Sequence, residues 1–427
     1  MADTAKTTAR GWLALAGAAV ALFCTVGFLN AFGVFQEYYS TFLDRSPSDI
    51  SWIGSLSIFL LYSISPFGGL LVDRVGPTLP LCAGSAGLVL ALFMTSLCTQ
   101  YWQLMLAQSL LLGASASLVF CPPLGVVLRH MPHRRGLAMG LTIGGSSIGG
   151  IVWPIMLQRL LNNNVLGFGW TMRAVAFTMM PLLAFACLAV REPPRKPASA
   201  PPAASAAVEA DGRVPVSDNS DAAEPVPEKE VPSRTAFLRQ LTYILLCSGL
   251  ALAYLGLFTP LFYVSKYAIA QGQSTSTAFY LLSAVNASSF LGRVLPGYIA
   301  DKFGHFNLLV LSTLLSGVVG FTWTQASSLP GLIMWALAYG FTSGAVMSLQ
   351  NACASKMAPP QAQGLAVGVL MGVLSISALI GTPISGQILT RSGYVALSAW
   401  TGATLVAGGG VIGVARLLKY PKLMTAF

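Results

Sequence analysis

Of 427 residues, 55% are hydrophobic and only 9% charged, and the mean hydropathy is +0.70, so the chain has too little polar surface to cover a soluble globule. The net charge of +10 does not point to nucleic acid, because the basic residues stand in loops between apolar runs and not on one soluble face. A multi-pass helical membrane protein remains, since the ten-residue alternation of a transmembrane barrel is absent.

In chain order, a polar tail over residues 1–10 carries Lys6 and Arg10. Apolar runs follow at about 11–35, 51–72, 78–98, 103–127, 136–158 and 172–190, each near the roughly 20 residues that cross a hydrocarbon core as a helix. The first is longer than a signal-peptide core and is expected to be retained as a span. Over residues 191–238 the composition turns to Pro, Ala, Ser and mixed charge, which predicts a disordered cytoplasmic linker. Six more runs follow at about 239–264, 278–300, 306–325, 330–352, 364–389 and 395–417, before a tail over 418–427. The prediction is an all-α protein with twelve transmembrane helices in two six-helix bundles, 11–190 and 239–417. With both termini cytoplasmic, eighteen of the 24 Lys and Arg fall in cytoplasmic loops, which sets the expected orientation, and a plasma-membrane location is expected.

The chain also repeats itself. Gly69-x-x-x-Asp73-Arg74-x-Gly76 returns as Gly297-x-x-x-Asp301-Lys302-x-Gly304 at an offset of 228 residues, and Gly136-Leu137-Ala138-Met139-Gly140 returns as Gly364-Leu365-Ala366-Val367-Gly368 at the same offset. In each copy the first glycine permits close helix approach, the second a tight turn, and the acid can face the positive N-terminal end of a neighbouring helix. Both copies are expected on the cytoplasmic face as a conformational switch, one per bundle.

These motifs, the span count and the central linker resemble the major facilitator superfamily. More narrowly, Gly11-Trp12, the segment from Asn30 to Tyr39, Ser51-Trp52-Ile53-Gly54, Phe168-Gly169-Trp170 and the segment from Phe290 to Gly297 are similar to the fungal branch of the monocarboxylate transporter family. The resemblance implies two bundles rocking about a site near the bilayer midplane. It also implies that Arg293, at the position of that family's carboxylate-binding arginine in span eight, anchors a substrate anion. Proton-coupled relatives have a Lys in span one and an Asp one turn before that arginine; here Asn30 and Ser289 stand there, so the usual proton relay is not expected.

Arg293 is a candidate on physical grounds as well. It lies eight positions before Asp301, about 12 Å inside the membrane boundary at 1.5 Å per residue. An ionised group there costs at least about 2.5 kcal/mol unless it is paired or wetted. The bland alternative is a guanidinium that snorkels outward or braces neighbouring carbonyls. Among the other intramembrane polar residues, Asn30, Gln108, Asn286, Gln350, Asn351 and Gln387, we rank Asn30 and Asn286 as the substrate-binding candidates, and a bond between helices is the ordinary role for the rest.

Glycines at four-residue spacing in spans five and eleven are expected to let backbones touch, and Pro122-Pro123, Pro154 and Pro383 to kink or break their helices. The seven cysteines read as buried apolar thiols, and His130, His133 and His305 as loop residues. No metal-ligand spacing, paired carboxylates or nucleophile with its base points to an enzyme, and no cofactor is expected. The expected function is secondary active or facilitative transport of a small organic anion, working as a monomer, with a co-transported proton as an open possibility. The alternatives are transport of a neutral or larger solute such as a secondary metabolite, and a non-transporting membrane sensor.

Overall fold

The computed structural model describes residues 9–43, 45, 47–161, 167–192, 235–359 and 362–419. Most of both expected tails and of the linker expected over 191–238 lies outside them. Among the described residues the fold is helical throughout, with no strand.

The first apolar run becomes α1 (Ala9–Cys24), α2 (Val26–Leu29) and α3 (Phe32–Phe42). It is interrupted at Thr25, whose backbone (φ −97°, ψ −86°) leaves the helical region while its hydroxyl donates to the Ala21 carbonyl at 2.8 Å. Trp153 donates its indole N–H to the nearby Phe23 carbonyl at 2.9 Å, so this break in a membrane helix keeps its polar backbone occupied. Span two is split into α4 (Pro47–Ser63) and α5 (Ser65–Val75), and α6 (Thr78–Thr95) follows. Span four starts as α7 (Tyr101–Leu104), widens into a π-helical turn over Met105–Leu111 and continues as α8 (Leu112–His130). Next come α9 (Arg135–Leu161) and α10 (Gly167–Ala189).

The second half comprises α11 (Leu241–Leu257), α12 (Thr259–Ala270), α13 (Thr275–Phe303), α14 (His305–Phe321), α15 (Leu329–Met357) and α16 (Gln363–Lys419). Ser274 and Ser328 cap α13 and α15 by accepting the backbone N–H three residues on, from Thr277 at 3.2 Å and Gly331 at 3.3 Å. Nine described segments are long and apolar enough to cross a membrane; α13 and the 17-residue α14 are not among them. The 57-residue α16 is nearly three times the length of one span, and its non-helical residue is Gly393, at φ 76°. Many large apolar side chains, Phe67, Leu188 and Met334 among them, stay exposed on the outside, a surface suited to lipid.

Two sequence expectations change here. Pro122, Pro123, Pro154 and Pro383 all sit inside helices that run on through them, so of the expected kink or break it is the break that does not occur. A proline removes one intrahelical bond, and packed neighbours in a bundle absorb that loss. Cys82 is exposed on α6 and Cys187 is half-buried, so not every thiol is buried.

The halves meet along two seams, α9 against α13 and α4–α5 against the first part of α16, with α15 also touching α9. Both seams are built on glycine.

Candidate functional site

Each copy of the repeated motif ends its helix in the same way. Gly76 closes α5 at φ 91° and Gly304 closes α13 at φ 95°, backbone that a side chain strongly disfavours. The first glycine of each copy faces the other half of the chain. A Cβ on Gly69 would strike the Gly364 carbonyl oxygen, and Gly136 and Gly297 meet so closely that a Cβ on either would strike the carbonyl oxygen of the other. Further along the same seams Gly368 packs on Ser65, Gly372 on Pro66 and Gly140 on the Arg293 backbone. The motif-bearing end of the molecule is thus closed by backbone on backbone.

Over the α9–α13 seam the second motif adds charge. Asp301 accepts the backbone N–H groups of Gly136 at 2.8 Å and Leu137 at 3.0 Å, the open donors at the start of α9. A carboxylate there gains both charge-assisted bonds and the helix dipole. His305 Nε2 lies 3.1 Å from the same carboxylate and is buried at the start of α14, not in an open loop as expected. Lys302 is exposed over the Tyr298 ring at 4.9 Å, and Arg74 is exposed in the first copy. The Asp73 side chain lies outside the described residues.

Two turns further into α13, Arg293 is only 4% exposed. Its Nη1 donates across the seam to the Ile143 carbonyl at 2.8 Å and to Ser146 Oγ at 2.6 Å, while Nη2 points at Met347 Sδ, 3.2 Å away on α15. The Ser146 hydroxyl donates its own hydrogen bond to the Ile143 carbonyl at 2.8 Å, which leaves its lone pairs for the guanidinium. Nε has no partner, and among the described residues no carboxylate pairs with Arg293. Ser289 packs against Gly344 of α15.

Asn30 and Asn286 come together farther along the seam. Both flank Gly150 of α9: a Cβ there would lie 3.0 Å from Asn286 Oδ1 and 3.3 Å from Asn30 Nδ2. Asn286 donates to Leu282 of its own helix at 3.2 Å, and Asn30, at the break between α2 and α3, is exposed. Seven residues of helix, about 10 Å, separate Asn286 from Arg293. The three predicted polar residues therefore share one interface, with Asn30 and Asn286 beside Gly150 and Arg293 two turns away along α13.

Several residues of this region have no individual signature in the sequence. Ser146 and the Ile143 carbonyl belong to a run rich in glycine, where Thr142 and Ser146-Ser147 are the polar hints. Gln350 Nε2 donates to Tyr254 Oη at 2.6 Å, and Tyr62 and Tyr254 lie within electrostatic reach of Arg293. Gln108 sits in the π-helical turn and accepts the Tyr39 hydroxyl at 2.6 Å, joining span four to span one as a buried interhelical amide.

A helical scaffold of two halves, closed at one end by paired motifs and holding a buried cation in the seam, is the architecture of an alternating-access carrier. The Major Facilitator Superfamily profile matches residues 17–382 and, in a second alignment, 277–423, and the chain belongs to this superfamily of membrane transporters. It is 51% identical to an MFS-type transporter of Aspergillus fumigatus over 96% of this chain and 93% of that one. Identity is 45% to the agnestins efflux protein of Paecilomyces divaricatus, over 96% and 88%, and 35% to the aspyridones efflux protein of Emericella nidulans, over 96% and 79%. The crystal structures of the human organic anion transporter TETRAN and the E. coli fucose:proton symporter share the fold. Each has a TM-score of 0.67 over 94% of this chain and 98% of its own, at 16% and 15% identity.

Proposed function

We propose that this transporter exports a small organic solute bearing an anionic group, a secondary metabolite in chemical class, by alternating access of two six-helix bundles. The single observation that carries the anionic half of this reading is Arg293, buried in the seam with no carboxylate partner among the described residues. A desolvated cation held only by a carbonyl, a hydroxyl and a thioether is under-compensated by several kcal/mol, and a solute anion completes it. The direction of transport is supported by the efflux function named for two of the relatives. The fungal monocarboxylate-like sequence words support an acid as the recognised group.

In this reading the chain has twelve spans, both termini are cytoplasmic and the motif-bearing end faces the cytoplasm. The arrangement described is then the state shut on the cytoplasmic side. Opening that end parts α9 from α13, frees Arg293 from Ile143 and Ser146, and offers it to a solute arriving from the cytoplasm. Asn30 and Asn286, farther along the same path, bind polar parts of the solute. With Asn30 and Ser289 unable to titrate, a proton can travel on the solute itself.

The test is counterflow in proteoliposomes with a panel of organic acids and their neutral esters. Arg293→Gln is expected to lower flux of the transported acid at least about 100-fold, the scale of losing a buried charged partner, with membrane insertion unchanged. An unaltered KM and rate for every acid would make Arg293 a structural brace.

A further inference from the structure

The contacts of Arg293 leave a second polar group in the same region unused. Gln350 and Tyr254 are each 2% exposed; Gln350 Nε2 donates to the Tyr254 oxygen and Gln350 Oε1 has no partner. Turning the amide over does not cure this: the tyrosine O–H would then serve Oε1 and the NH2 group would be left open. One polar atom of a buried amide therefore waits for a partner in either orientation, a cost a solute can remove. Arg293 Nη2 meets Met347 Sδ at 3.2 Å, and Gln350 follows Met347 by three residues, one turn along α15, so the open amide and the guanidinium lie beside the same stretch of helix. Aromatic rings gather there from both halves. Tyr62 of α4 packs edge-on against Phe120 of α8 at 6.1 Å, and Tyr254 of α11 against Phe258 at 5.4 Å.

Resting on the Arg293 reading above, we infer that the solute is an aromatic acid carrying a hydroxyl close to its anionic group, with Gln350 as the residue that selects the hydroxyl. The anion takes Arg293, the hydroxyl takes the open amide atom, and the ring meets the tyrosines and phenylalanines. A hydroxyl both donates and accepts, so it satisfies the amide in either orientation, whereas a carbonyl fits only one. The hydroxyl must stand near the acid without folding onto it, because an internal hydrogen bond would use up the proton that the amide needs.

The probes are benzoate and 3-hydroxybenzoate, binding to the full-length protein in detergent, measured as equilibrium Kd. Wild type is expected to bind 3-hydroxybenzoate about tenfold tighter, since a site built for a hydroxyl rejects the analogue lacking it. Gln350→Met, close in volume, is expected to bring the ratio within about twofold; Gln350→Leu gives the same readout should the Met variant not fold. Arg293→Gln weakens both acids. A tenfold ratio that survives both Gln350 substitutions, or a wild type that binds the two acids equally, overturns the role of Gln350 and leaves Arg293 standing. Binding of neither acid, with binding of their methyl esters, overturns the anion reading and this inference with it.

Discussion

The two seams that close the motif-bearing end are built alike and charged differently. Gly69 meets Gly364 as Gly297 meets Gly136, and Gly368 packs on Ser65 as Gly140 packs on Arg293, each pair displaced by the same 228 residues. The steric solution is thus duplicated. At the position of Arg293 the first copy has Ser65, whose hydroxyl stays in its own half, donating to Leu61 at 2.7 Å and lying 3.4 Å from Ser117. At the position of His305 it has Pro77, and at that of Ser146 the second copy has Leu374. Glycine packing lines both seams, and among the described residues the α9–α13 seam is the one that holds a buried cation.

That division is testable by the rate at which a cysteine in the closed seam becomes reachable. Ser147 is fully buried one turn beyond Ile143, so Ser147→Cys, in a background lacking the seven native cysteines, reports opening through reaction with a membrane-impermeant maleimide. The largest effects belong to the backbone contacts. Gly69→Val and Gly136→Val each drive a side chain into a carbonyl oxygen, overpacking on the order of 3 kcal/mol, and are expected to raise labelling roughly 100-fold. Near-equal effects on the two seams are the expectation; a large effect from only one would end the claim that the steric part is duplicated.

Asp301→Asn comes next. The amide keeps one acceptor for the α9 N–H groups but loses the charge that strengthens both bonds and faces the helix dipole. A loss of about 1.5 kcal/mol, roughly tenfold in labelling, is expected. Labelling at the wild-type rate would mean that the glycine packing alone holds this seam shut.

How much of this was legible in the chain follows the range of each interaction. The motifs could be read because their causes are local: a turn at positive φ asks for Gly76 or Gly304, and an acid beside it seeks a helix start. Arg293 could be read because a charge inside an apolar run is costly wherever it lands. Its partners could not, because a main-chain carbonyl carries no sequence signal and Ser146 is set against it by the docking of two halves separated by some 150 residues. The pairing of Gln350 with Tyr254 is hidden for the same reason. Prolines misled in the other direction, since a packed bundle tolerates Pro122, Pro123 and Pro154 inside helices that propensity alone would end.

The finest test of the asymmetry is Ser146→Ala set beside Ser65→Ala. Removing the Ser146 hydroxyl takes one of the two oxygens that hold Nη1 and leaves the Ile143 carbonyl, so the cross-seam tie weakens by about 1 kcal/mol and labelling rises about fivefold. The same change makes the guanidinium easier for an anion to capture, because the solute no longer displaces that hydroxyl. The KM for a transported acid is therefore expected to fall by a similar factor, in the direction opposite to an ordinary loss of a binding contact. Ser65→Ala, which removes only bonds within one half, is expected to move neither quantity by more than about twofold. A rise in KM from Ser146→Ala would place Ser146 among the groups that hold the solute and not among those that compete with it, and the two seams would then differ in binding as well as in latching.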